Sequence, residues 1–339
     1  MDFLRATPIS GNELLNTEGK PRQYILKEML GQGELMMLFA HTGLGKSYVA
    51  IDIAGAIVTG CPFLNFQCLK PQPVLYVDGE MGNDDVRERV HKKFKDRNLK
   101  DLYFLFPSSF ESYNYDVPNI ATTEGQKYYE KLCEDLKCKV IVIDNLNTIS
   151  RPTIDMVTEF QQWDVIEPWL KKLREKGYTV ILIHHTNKAG MDQSGSQRKP
   201  NLMTVNIQLK KSRFQDEFEG DLHAFEIHFL KQRRGGWKQP LYVEQTYINE
   251  EICIKSELLK DKLEQEVIRC SKLHGHKYPE YKFKLNKYEI QKILKDYEDR
   301  ALNNIPAYTF GSVKQEPDTR LSFETNANFI TTERDEDIF

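Results

Sequence analysis

Residues 40–47 read Ala-His-Thr-Gly-Leu-Gly-Lys-Ser, set between an apolar run at Leu35–Phe39 and an apolar segment from Tyr48 to Val58 that closes at Gly60. A strand that turns through a glycine-containing loop into a helix is the setting in which backbone N–H groups converge on phosphate oxygens. Glycines at 43 and 45 give the loop its freedom, the helix N-terminus adds positive potential, and Lys46 offers a mobile charge to the terminal phosphates. Ser47 places a hydroxyl where Mg²⁺ would be held. Ala40 stands where such loops usually begin with glycine, which costs backbone freedom but no phosphate donor. The competing reading, a turn of purely structural use, requires Gly, Gly, Lys and Ser to fall at the right offsets by coincidence. The expectation is therefore a nucleoside triphosphate site built on Thr42, Gly43, Leu44, Gly45, Lys46, Ser47 and Tyr48.

A loop of this kind demands a parallel sheet, and the rest of the chain supplies one. Apolar, β-rich runs recur at 35–40, 74–78, 102–106, 139–144 and 179–184, with helical patterns at 46–59, 83–97, 123–137 and 155–176 between several of them. Such alternation predicts an α/β fold with a mostly parallel central sheet and helices on both faces. Val140-Ile141-Val142-Ile143 and Val180-Ile181-Leu182-Ile183 are apolar on both sides, as central strands must be. Past residue 200 the runs at 203–210, 223–231 and 240–248 alternate and are joined by polar, glycine-containing turns, which predicts antiparallel hairpins. Three regions are expected: a nucleotide-binding domain over 1–255, a helical C-terminal extension over 256–316 with helices Glu257 to Leu273 and Lys287 to Ala301, and a mobile tail over 317–339.

In open parallel sheets ligands bind beyond the carboxyl ends of the strands. Asp144, after four aliphatic residues, is placed to hold Mg²⁺ through its waters, the competing role being a cap on the next turn. Glu80, in Asp78-Gly79-Glu80-Met81, is the candidate to orient and deprotonate the attacking water, with Asp78 supporting it. Asp84 and Asp85 already fill the helix-start role that would otherwise explain Glu80. Of His184 and His185, which end the next central strand, His184 is taken first as a sensor of the terminal phosphate.

Composition narrows the rest. A net charge of −3 over 339 residues argues against a strongly basic nucleic-acid coating protein, though a local basic channel in an oligomer is compatible with it. Six scattered cysteines, with no CxxC pair, fit reduced thiols, and neither a membrane span nor a secretory leader is read from the sequence. The expected location is the cytoplasm.

With these residues placed, the chain resembles the RecA-like P-loop ATPases, and within them the branch of RepA-type hexameric replicative helicases of plasmids and related phage AAA ATPases. The resemblance runs from about Leu30 to about Val243. It is carried by Phe39 to Ser47, by Val74-Leu75-Tyr76-Val77-Asp78-Gly79-Glu80-Met81 with Arg87-Glu88-Arg89, by Val142-Ile143-Asp144-Asn145, and by His184-His185-Thr186-Asn187-Lys188-Ala189-Gly190. It implies a homo-oligomeric ring, hexameric in this branch, with ATP as substrate and Mg²⁺ as cofactor. It also implies that a basic residue reaches a neighbour's nucleotide; Lys231 and Arg233, two residues apart on one side of a strand, match that segment. The loop from Asn187 to Asn201, with Lys188, Arg198 and Lys199, matches the region that faces the channel and single-stranded DNA. Arg89 matches an arginine near the subunit boundary, with helix-surface pairing as its ordinary alternative.

The expectation is a replicative DNA helicase or single-stranded DNA translocase of a plasmid, phage or related mobile element. The alternative is a nucleotide-switched assembly protein, such as a recombination mediator or antiviral-defence ATPase, that unwinds nothing. Beyond residue 256 no match is made, and a protein partner or nucleic acid are both compatible with that region. Tyr278, Tyr281, Phe283 and Tyr288 among lysines suit nucleic acid, but an amphipathic lid over the sheet edge is the preferred reading.

Overall fold

The computed structural model describes residues 8–19, 21–111, 116–153, 158–185, 198–214, 223–248, 251–275 and 277–302. A short helix α1 (Gly11–Asn16) and a hairpin of β1 (Tyr24–Leu26) and β2 (Leu30–Gly31) precede β3 (Leu35–Ala40) and the helix α2 (Lys46–Thr59). Then come β4 (Val74–Asp78), α3 (Asn83–Phe94), β5 (Leu102–Leu105), α4 (Ser108–Glu111), α5 (Thr123–Asp135), β6 (Val140–Asp144) and α6 (Leu146–Ile149). The central part ends with α7 (Glu159–Glu175), β7 (Thr179–His185), α8 (Arg198–Leu202) and β8 (Val205–Lys211). Strands β9 (His223–Gln232), β10 (Leu241–Ile248) and β11 (Glu251–Leu258) lead into α9 (Leu259–His274), α10 (Lys277–Phe283) and α11 (Lys287–Leu302).

Among the described residues nine strands form one sheet in the order β11-β10-β9-β8-β3-β7-β6-β4-β5. From β8 to β5 the pairing is parallel, which sets the ends of β3, β4, β6 and β7 side by side on one rim. From β8 to β11 it is antiparallel. This is the RecA-like arrangement expected above.

Because side chains alternate along a strand, each central strand feeds two cores. Met36, Leu38, Tyr76, Val142, Ile181 and Ile183 pack with Ile51, Ile53, Ala54 and Ile57 of α2. Leu35, Met37, Phe39, Ile141, Val180 and Leu182 pack with Tyr129 of α5 and Trp163, Ile166, Trp169 and Leu170 of α7. Helix α2 buries every residue from Val49 to Ile57, so its place is fixed by the core around it rather than by one apolar stripe. It stops at Gly60, whose φ of 77° closes the helix in the left-handed region.

The extension begins later than expected. Strand β11 pairs with β10 from Glu251 to Leu258, so the junction at 255/256 falls inside the sheet and the helix starts at Leu259 rather than Glu257. The charged texture of Lys255-Ser256-Glu257 suggested a helix, but polar residues are also what an edge strand carries. Helices α9 to α11 pack Leu259, Val267, Cys270, Phe283 and Ile290 onto Phe214, Ala224 and Tyr242, covering one face of the antiparallel strands as a lid. The expected tail, residues 303–316 and the loop residues 186–197 lie outside the described residues.

Candidate active site

Chain direction changes abruptly between Ala40 and Lys46, and two glycines make that possible. Gly43 and Gly45 have φ of 84° and 77°, a region that costs any residue with a Cβ, and Gly45 immediately precedes α2. Lys46 is only 8% exposed, and its Nζ donates to the carbonyls of Ala40 at 3.2 Å and His41 at 3.1 Å. Burial lowers its pKa, while the nearby Asp144 and Glu80 carboxylates act in the opposite sense. The cation thus sits inside the loop and faces an acidic rim.

That rim follows from register. Asp78 and Asp144 are paired neighbours at the ends of β4 and β6, and both lie on the face occupied by Tyr76, Val142 and α2. Asp144 accepts a hydrogen bond from the Tyr76 hydroxyl at 2.6 Å. Burial pushes its carboxyl above the ordinary range, against the Tyr76 hydrogen bond, the nearby Ser47 hydroxyl and the Lys46 charge, which pull it down. Asp78 Oδ1 accepts from the N–H groups of Glu80 and Met81 at 2.9 and 2.8 Å, which folds the turn carrying Glu80.

Burial also raises the Asp78 pKa from 3.8 to about 6, opposed by those N–H donors and reinforced by Asp144 and Glu80. The folded protein therefore holds a proton that the unfolded chain has lost. Between pH 3.8 and about 6, stability should fall as pH rises. The loss is up to about 3 kcal/mol. Denaturant titrations in metal-free buffer should show a steeper slope in the wild type than in Asp78→Asn, where the raised Asp144 carboxyl remains; equal slopes would refute it.

Asn145 ties the parts together. Its Oδ1 caps α6 by accepting from the N–H groups of Asn147 and Thr148, which fixes the side chain. Its amide Nδ2 then lies 2.6 Å from Glu80 Oε1 and 3.3 Å from His185 Nε2. An amide nitrogen only donates, so His185 Nε2 accepts and the Nδ1 proton of the neutral ring faces Thr42 Oγ1 at 3.4 Å. Burial and the Lys46 charge lower the His185 pKa, which favours this neutral form. A continuous chain of contacts therefore runs from Glu80 through Asn145 and His185 to the loop.

His185, not His184, faces the loop. The two alternate on β7: His185 shares the face of Ile181 and Ile183, whereas His184 is fully buried on the other face, with Nε2 3.1 Å from Lys199 Nζ. The loop cations are corrected likewise. Lys199 is 2% exposed and ion-paired with Glu159, and Arg198 pairs with Asp164 and Glu167, so both are bound to α7 rather than offered to a channel. Lys188 lies outside the described residues.

Lys231 and Arg233 do share a side: Lys231 donates to the carbonyls of Pro200 and Asn201, and Arg233 to that of Asn201. They stand where β8 begins, since Val205 pairs with both Met36 and Gln232, at the opposite rim from their own phosphate loop. Roughly 13 Å of strand separates Met36 from Ala40. Arg89 lies over the Tyr48 ring, 4.3 Å from its centroid, beside the start of α2.

A cavity of about 240 Å³ opens next to the loop, between Leu44, Tyr48 and Val49 on one side and His223, Phe225 and Gln245 of β9 and β10 on the other. Sequence reading missed these last three, because nothing in an alternating strand marks which end folds beside the loop. Asn145 and Tyr76 were legible only as neighbours of Asp144.

The arrangement fits a hard cation. Mg²⁺ is held by one or two oxygen ligands, waters and substrate phosphates rather than by a protein cage. Here the Ser47 hydroxyl is close enough to Asp144 to pull its carboxyl pKa down. Among the described residues no cluster of three or more His, Cys, Asp or Glu side chains forms a metal site.

The family model for the AAA domain matches residues 4–191, more than half of the sequence. The chain belongs to the AAA domain family. This AAA chain is a P-loop ATPase of the RecA type, which its sheet order and loop geometry bear out. Among solved structures it is similar in fold to a KaiC-like protein from Pyrococcus horikoshii OT3, at 14% identity and a TM-score of 0.45, over 69% of this chain and 99% of that one. No curated protein matches it. Among the described residues of the AAA chain no helix is long and apolar enough to cross a membrane.

Proposed function

We propose that the chain is a Mg²⁺-dependent ATPase that works as a hexameric ring in the cytoplasm and moves along single-stranded DNA, as a replicative helicase or translocase akin to the RepA-type branch. The observation that carries the hydrolytic part is the contact chain Glu80–Asn145–His185–Thr42 beside Lys46 and Asp144. In this reading the loop N–H groups and Lys46 bind the phosphates, and the base lies in the cavity between Tyr48 and Phe225. Ser47 and Asp144 hold Mg²⁺, which when bound neutralises charge developing on the phosphates. Glu80, held by Asn145, takes the proton of the attacking water. His185 contacts both Asn145 and Thr42, so loss of the terminal phosphate is felt at the end of β7.

Lys231 and Arg233 complete a neighbour's site. Their place at the far rim supports this, since in a head-to-tail ring one rim of each chain meets the opposite rim of the next. The slightly acidic charge and the pairing of Arg198 and Lys199 with α7 favour the second reading, a switch ATPase that does not track DNA.

Turnover measured with and without single-stranded DNA separates the two. The motor reading expects DNA to accelerate hydrolysis; indifference to DNA favours the switch. The double substitution Lys231→Ala/Arg233→Ala should cut turnover by about 10³-fold while ATP still binds. Undiminished turnover in that variant would remove the shared-site part of the proposal.

A further inference from the structure

Helices α9 to α11 use only one face to cover the sheet. Phe283 and Ile290 are buried there, with Leu285, Ile293 and Leu294 packed against them. The residues left outward are of a different kind. Tyr288 is 75% exposed, Leu273 63%, Tyr297 40% and Tyr278 38%, while the Tyr281 side chain lies outside the described set. Between Lys272 and Lys295 there are seven lysines against two glutamates, a local charge of +5 in a chain whose total is −3. Lys277, Lys284, Lys287, Lys292 and Lys295 are exposed and have no carboxylate partner among the described residues.

These residues come together from three helices. The His274 and Tyr278 rings lie 4.6 Å apart and tilted by 43° across the α9–α10 turn, and Lys272 of α9 reaches Tyr297 of α11. On α11, Tyr288, Lys292 and Lys295 fall four and seven positions apart, which places them along one side of the helix. Aromatic faces offer stacking to bases that are not paired with a second strand, and lysines spaced among them offer charge to the phosphates between those bases. Duplex DNA would use the cations and leave the rings idle.

We infer that the outer face of α9–α11 is a binding surface for single-stranded nucleic acid, with Tyr278 and Tyr288 as stacking platforms and Lys284, Lys287 and Lys292 as phosphate contacts. It supplies cations where Arg198 and Lys199 are taken up by pairing with α7. The inference rests on the motor reading for its purpose only, because binding is measurable without hydrolysis.

The test is equilibrium binding of a fluorescently labelled oligothymidine to the full chain at several salt concentrations. Tyr288→Ala should weaken binding roughly tenfold. Lys284→Gln/Lys287→Gln/Lys292→Gln should lower the slope of log affinity against log salt by about 2. Both variants alter outward side chains, so their folding is checked by circular dichroism and their DNA-independent ATP turnover should match the wild type. Glu80→Gln should bind the oligonucleotide normally, so a failed ATPase assignment leaves this result intact. Binding in the patch variants within twofold of the wild type, an equal preference for duplex that survives Tyr288→Ala, or no binding by the wild type would overturn the inference.

Discussion

Glu80→Gln should lower ATP turnover by about 10²–10⁴-fold, or roughly 3–5 kcal/mol of barrier, while ATP binding survives. Glutamine keeps the oxygen that accepts from Asn145 Nδ2, so the turn built on Asp78 and the Asn145 cap of α6 are undisturbed. What is lost is a group able to take a proton. A coupled assay of steady-state turnover beside a nucleotide-binding titration reads the two effects apart. Turnover within threefold of the wild type would mean that the base is elsewhere, and Asp78, with its raised pKa, would be the next group to test.

Lys46→Ala should have a comparable effect through a different step. The ammonium group lies inside the loop, between the carbonyls of Ala40 and His41 and the carboxylates of Asp144 and Glu80. Its removal takes from the phosphates the charge that the loop itself supplies, and kcat/KM should fall by about 10³-fold. The loss should also appear without any turnover. ATP at 100 times its Kd stabilises the wild type by about 2.7 kcal/mol, and that ligand-dependent rise in Tm should vanish in the variant. A variant that is stabilised as strongly as the wild type would show that Lys46 does not contact the nucleotide.

The parallel half of the fold was readable because its signals are local. A strand apolar on both faces, a glycine loop and a helix apolar on all sides can each be recognised within a dozen residues, and β3, β4, β6 and β7 lie within a residue or two of where they were expected. The position of Asp144 was readable because it follows from its place at the end of β6, and that of Glu80 because it sits in the turn just after β4. The site was not readable where a residue's role depends on which way a side chain turns. His184 and His185 differ by one step of a two-residue period, and only the register of β7 against β3 decides which meets the loop. Arg198 and Lys199 looked like channel cations because the carboxylates that hold them, Asp164, Glu167 and Glu159, lie more than thirty residues away in sequence. Strand β11 was missed for a related reason: its pairing with β10, not its composition, makes it a strand.

The central claim is that a nucleoside triphosphate binds at Lys46 and Ser47, beside Asp144, with Glu80 acting only in the chemical step. Calorimetric titration of Mg-ATP into Glu80→Gln tests it most directly. The account expects saturable binding at a single site per chain, dependent on Mg²⁺, with no release of phosphate over the course of the titration. Absence of binding, or binding indifferent to Mg²⁺ and to the further substitution Lys46→Ala, would contradict it.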